Sequence, residues 1–135
     1  MLTIASGTFD VTLTPQPASA DVGDPSVSRM AIAKTFHGDL EGTSRGEMLA
    51  VRTPVDGSAG YVAMERVVGS LFGKQGSFAL QHNGRMDRGA RALSVTVVPD
   101  SGTDELTGLS GVMRIDIADG VHSYVFEVAF APDED

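Results

Sequence analysis

Apolar and polar residues alternate along most of the chain with a period of two, the repeat of a half-buried strand. No stretch carries a capped 3.6-residue period, so no long helix is predicted. From Thr3 to Thr14, Phe9, Val11 and Leu13 share one face, with Thr8, Asp10 and Thr12 on the other. Strands two and three are predicted from about Val27 to His37 and from about Leu40 to Arg52. Tyr61 to Asn83 reads as strands four and five, joined at Gly73-Lys74-Gln75-Gly76 with Lys74-Gln75 as a two-residue loop. That register sets Leu71 opposite Phe78, Gly69 opposite Leu80 and Val67 opposite His82. Ala92 to Val98 alternates as strand six. Asp119-Gly120 is a strong type I′ turn signal, and it pairs Ile117 with His122, Ile115 with Tyr124 and Met113 with Phe126 in the last hairpin.

The connections carry turn chemistry. Pro54 to Ser58, Gly84 to Ala90 and Pro99 to Asp104 are turn clusters, and Pro15 to Pro25 is a longer loop rich in Pro, Ala, Ser and Asp, expected to be mobile or functional. The tail after Ala131 is acidic and expected to fray. Eight consecutive strands joined by short turns form an antiparallel meander. Closing it removes both edges, so the expected fold is all-β, an eight-stranded antiparallel up-and-down barrel spanning residues 1–135 as one domain. A two-sheet sandwich is the alternative.

The second hairpin sets the inner wall. Gly38-Asp39 read as a two-residue turn puts Met30, Ile32, Lys34 and Phe36 beside Glu41, Thr43, Arg45 and Glu47 on an outer, solvated face. Ala31, Ala33, Thr35 and His37 then join Leu40, Gly42, Ser44, Gly46 and Met48 inside. That arrangement leaves Ile32 and Phe36 outside, where a subunit interface could cover them. Inward Gly42, Gly46, Gly69 and Gly111 either leave room for a ligand or mark the bends that close a barrel.

Composition narrows the function classes. With 41% apolar residues among 135, the chain can bury a core. A net charge of -8 and no Lys/Arg run argue against a nucleic-acid partner or an anionic membrane surface. The absence of cysteine excludes disulfides, thiolate catalysis and thiolate zinc sites. The first ten residues lack a basic region followed by an apolar core, so a cytoplasmic protein without a signal peptide is expected.

The notable chemistry lies on the inner face of strands four and five. Glu65 and His82 interrupt an otherwise apolar face, diagonally across from each other. In an up-and-down barrel, the ends of odd strands and the starts of even ones gather at one mouth. Tyr61, Glu65, His82, His122, Tyr124 and Met48 are all expected there as ligand-binding candidates, with Arg88 and Arg91 beside them and His37 at the other end. Glu65 and His82 are the catalytic candidates: a carboxylate on an apolar wall has a raised pKa unless a cation or donors meet it, and with an imidazole near it can serve as acid or base. The plain alternative is a satisfied structural pair. Two histidines plus Glu65 also suit a metal, but no His-x-His pair or ligand spacing supports one, so neither metal nor cofactor is expected. Ser44 sits mid-strand outside a Gly-x-Ser-x-Gly elbow, and GSLFGKQG precedes a strand where a phosphate loop precedes a helix.

At KTFHGDLEGTSRGEML (Lys34 to Leu49), AGYVAMERVVGSLFGKQGSFALQHNG (Ala59 to Gly84), VVPDSGTDELTGLSG (Val97 to Gly111) and HSYVFEV (His122 to Val128) the chain resembles a bacterial family of unknown function. That family is grouped with the allene oxide cyclase-like barrels, and dirigent proteins share the architecture. The resemblance implies an eight-stranded barrel with a central cavity, assembled as a homo-oligomer, a dimer or trimer. Three functions then compete: a barrel that binds a small hydrophobic or aromatic molecule, a cofactor-free isomerase or cyclase, and a structural module with a filled interior. The active-site residues of those relatives do not map onto this chain one by one, so the chemistry stays an analogy of fold.

Overall fold

The computed structural model describes residues 2–17 and 21–131. Eight strands form a closed antiparallel barrel in chain order: β1 (Thr3–Gln16), β2 (Ser28–Gly38), β3 (Leu40–Arg52), β4 (Ala59–Leu71), β5 (Lys74–Asp87), β6 (Ala90–Val97), β7 (Leu109–Ala118) and β8 (Val121–Phe130). The sandwich alternative falls, because β1 pairs with β8 and leaves no open edge. The predicted loop from Pro15 to Pro25 lies in part outside the described residues, and the acidic tail lies wholly outside them. No described helix is long and apolar enough to cross a membrane.

Three hairpins close on tight turns with two residues of positive φ, as type I′ geometry demands: Phe72-Gly73, Arg88-Gly89 and Asp119-Gly120. The last has the register that the sequence predicts, Ala118 with Val121 through Gly111 with Val128. The β4–β5 turn falls two residues earlier than expected, at Phe72-Gly73, so that Leu71 faces Lys74 and Val67 faces Phe78. A shift of two residues per strand keeps every side chain on its predicted face, because the pleat also repeats every two.

The β2–β3 turn breaks the expectation. Phe36 pairs with Gly42 and Lys34 with Ser44, one residue out of the predicted register. Such a slip turns a whole strand over. Ile32, Lys34 and Phe36 are therefore buried inside, and Ala31, Ala33, Thr35 and His37 face out. The cause is Tyr124. A two-residue turn would close on a bond from the Leu40 N–H to the His37 carbonyl. Instead Leu40 N–H donates to the Tyr124 hydroxyl at 3.0 Å, and that hydroxyl donates to the His37 carbonyl at 2.9 Å. The phenol is inserted into the turn and widens it. With Ile32 and Phe36 in the core, the idea that a subunit covers them is withdrawn.

The two ends of the barrel differ. At the lower end, where odd strands begin, Phe78 stacks on Phe126 at 5.7 Å and Phe36 meets Tyr124 edge-on at 5.9 Å. A single 3-10 turn, Asp104–Leu106, drives the fully buried Leu106 into this core. Its loop is held along β5, where Thr103 N–H donates to the Ser77 carbonyl and Ala79 N–H to Ser101 Oγ. Among the described residues the upper end has no such plug. Here too the wall is thinnest, since β6 and β7 share one registered pair, Thr96 with Val112.

Candidate functional site

The inward positions of β3, β4, β5 and β6 stack in cross-strand rows that descend from the upper rim. Arg52, Ala59, Met86 and Arg91 form the rim row, and Ala50, Tyr61, Gly84 and Leu93 the second. Met48, Ala63, His82 and Val95 form the third, and Gly46, Glu65, Leu80 and Val97 the fourth. The upper two rows, with Met48 and Ile117, line a pocket of about 390 Å³ that is open to solvent and whose wall is mostly apolar. This lies within the ~300–1,000 Å³ usual for small-molecule sites. Gly84 shapes it: a methyl group there would fall 2.3 Å from the Tyr61 ring, so the bare backbone lets the ring lie across the strand.

His82 and Glu65 lie one and two rows beneath the pocket, respectively, and do not line it. They meet as the sequence predicts. His82 Nε2 is 2.9 Å from Glu65 Oε2, and the pairing remains diagonal in the shifted register. The third partner is Lys34, whose Nζ donates to the same Oε2 at 2.8 Å. Glu65, His82 and Lys34 are only 2%, 4% and 8% exposed, so the cluster is a buried one. Burial pushes the Glu65 carboxyl up, but the His82 hydrogen bond and the Lys34 ammonium outweigh it and hold the group below its ordinary range. The raised pKa expected of a lone carboxylate is thus reversed. With the carboxylate ionised, His82 Nε2 carries the proton it shares. Lys34 also lies 4.9 Å from the Phe9 ring centroid, a cation–π contact that helps compensate its lost water.

Two polar atoms in this layer, Glu65 Oε1 and Ser44 Oγ, are buried without a hydrogen-bond partner among the described residues. Ser44 pairs with Lys34 on β2 and with Val67 on β4, one row below Glu65. Gly46 sits directly opposite Glu65, where a methyl group would be 2.6 Å from the Glu65 Cα. Here the inward glycine serves close strand approach and leaves no room.

The expected gathering at one mouth holds for part of the set. Tyr61 and Met48 line the upper pocket with Arg91. Burial raises the Tyr61 phenol above its ordinary value, and the Glu65 charge adds to this. Tyr124 departs from the expectation. Its backbone is near the start of β8, but its hydroxyl reaches the β2–β3 turn at the lower end. His122 packs against Phe9 at 5.1 Å and does not line the pocket. His37 faces out at the lower end, 3.1 Å from Asp10. Among the described residues, no three His, Asp or Glu side chains converge where a metal ion could sit. The sequence reading missed Lys34 because the widened turn hides in Tyr124, 84 residues from Leu40. It missed Arg52 because a cation at a strand end looks solvated.

A family model described as "Protein of unknown function (DUF3224)" matches residues 5–128. A crystal structure of a protein of unknown function from the DUF3224 family of Shewanella oneidensis MR-1 is similar over 98% of this chain and 100% of that one, at 52% identity and a TM-score of 0.89. No curated protein matches the chain.

Proposed function

We propose that this chain, which belongs to the DUF3224 family, is a small-molecule-binding barrel that takes a hydrophobic or aromatic molecule at its upper mouth. The observation that carries this reading is the contrast between the two ends. The lower end is packed with aromatic rings and plugged by Leu106, while the upper end holds a largely apolar pocket of about 390 Å³. A filled structural barrel would have no need of that asymmetry. In this reading Tyr61 is the contact ring and Met48 an adaptable wall. The Lys34–Glu65–His82 cluster is the polar foundation that fixes β2, β4 and β5 beneath the pocket. The grouping with allene oxide cyclase-like barrels belongs to the same proposal.

The chain has no tryptophan and two tyrosines, so Tyr61 fluorescence is a native reporter of the pocket. Titration with naphthalene should change the signal saturably in the wild type. Ala50→Phe, which fills the second row, should abolish the change while the fold is retained. A wild type that shows no saturation, or an Ala50→Phe protein that binds as before, would reject the reading.

One observation favours a second reading, a cofactor-free isomerase or cyclase. Glu65 Oε1 is a buried carboxylate oxygen without a described partner, and it lies two rows under the pocket. If a substrate reaches it, Glu65→Gln should keep binding and lose turnover; retained turnover removes Glu65 from any chemistry.

A further inference from the structure

We infer that the mouth selects an organic oxyanion carried on an apolar body; this rests on the binding reading above and adds the charge of the ligand. The whole chain has 10 Lys and Arg against 18 Asp and Glu. Yet three arginines, Arg52, Arg85 and Arg91, line one pocket, and no carboxylate among the described residues lines it.

Register makes the placement specific. Arg52 ends the inward series of β3, after Met48 and Ala50, and Arg91 begins the inward series of β6, before Leu93 and Val95. They terminate the same row, with Ala59 and Met86 between them. Three strand spacings of ~4.8 Å set their backbones about 14 Å apart around the rim. Two long side chains from opposite ends of that row bracket the pocket entrance, while Arg85 alternates onto the outer face of β5 and borders the pocket from there. None of the three is engaged in an ion pair or a side-chain hydrogen bond with another described residue. Their donors are therefore available.

The chemistry matches. A guanidinium offers a planar fork of donors to a carboxylate or phosphate and stays ionised at any physiological pH. Beneath the forks, Ala50, Tyr61, Met86, Leu93 and Ile117 can hold a hydrocarbon or ring. A neutral ligand would leave the charge unused. An ammonium would meet like charge from Arg52 and Arg91. The pattern thus selects an amphipathic molecule with its anionic head at the rim and its apolar end above Ala63 and His82.

Three probes with one chain length separate head from body: octanoate, octan-1-ol and octylamine, titrated into the isotopically labelled full chain and followed by amide chemical shifts. Octanoate is expected to move Tyr61, Met86 and Leu93, and to bind about tenfold more tightly than octan-1-ol, the gain of one charge-assisted hydrogen bond. Octylamine should bind most weakly. Arg52→Gln/Arg91→Gln, whose changes are confined to exposed rim positions, should erase the preference, so that octanoate binds the variant no more tightly than octan-1-ol does. Equal binding of octanoate and octan-1-ol, or a preference that survives the double substitution, overturns the inference and leaves the binding reading intact. If none of the three moves the pocket residues, both fall. Octyl phosphate in place of octanoate then tells carboxylate from phosphate recognition.

Discussion

Lys34 Nζ stands 2.8 Å from Glu65 Oε2 inside the barrel, with β3 between their strands. Both groups are almost fully removed from water, so each makes the other tolerable. Lys34→Met should leave Glu65 with His82 alone and destabilise the fold by about 3–5 kcal/mol, the usual cost of stranding a buried charge. Lys34→Met/Glu65→Leu removes both charges and should recover most of that loss. Urea midpoints of the two single variants and the double variant close the cycle. Independent, additive losses would mean that the pair is not the unit described here.

The same pair predicts a pH dependence. Folding holds the Glu65 carboxyl below its ordinary value of 4.5, so the unfolded chain binds its proton more readily than the folded one. The contribution is complete above about pH 4.5 and is lost as the pH falls through the lower, folded value. Other carboxylates titrate nearby, so the comparison is with Glu65→Gln. Between pH 5 and the acid transition, stability of the wild type should fall more steeply than that of the variant. Parallel slopes would deny the depressed pKa.

What the sequence could reveal followed from parity. The Asp119-Gly120 hairpin was legible in full, because an aspartate and a glycine at positive φ leave one turn to choose. The β4–β5 turn was misplaced at Lys74-Gln75, yet the error was even, and so Glu65 and His82 kept their shared face and their diagonal contact. The β2–β3 error was odd, and it carried Lys34 from the core to the solvent. No local signal separates the two cases. The deciding atom is the Tyr124 hydroxyl, brought to Leu40 by closure of the barrel, which is tertiary information. Tyr61 and Met48 were found at the upper mouth by strand direction alone, and the same rule failed for Tyr124 because the stagger of the strands sets it opposite Gly7, which is itself opposite Gly38 at the β2–β3 turn.

That hydroxyl can be tested directly. Tyr124→Phe keeps the ring against Phe36 and removes the acceptor of the buried Leu40 N–H. An unpaired buried donor costs about 1–3 kcal/mol, and the variant should lose that much in urea. The amide proton of Leu40 should also lose its protection against exchange. A stability change within error would mean that the turn closes on its own backbone once the phenol is gone.

The weakest line in the wall is the seam between β6 and β7. Every other pair of neighbours is in register over several residues, whereas Thr96 and Val112 are the one pair here. Backbone groups of Ala90 to Val95 that point toward β7 have no ladder to hold them, and the same holds for Met113 to Ala118 toward β6. Leu93 and Ile117, from the two sides of this seam, both line the upper pocket, and both are largely exposed. Local opening follows the weakest contacts, so the seam should open before the rest of the barrel. In native-state hydrogen exchange, the seam-facing amides of Ala90 to Val95 and Met113 to Ala118 should exchange first, and those between β3 and β4 last. A ligand bridging Leu93 and Ile117 should slow the seam amides selectively. Uniform protection around all eight strands would show instead that the barrel opens only as a whole.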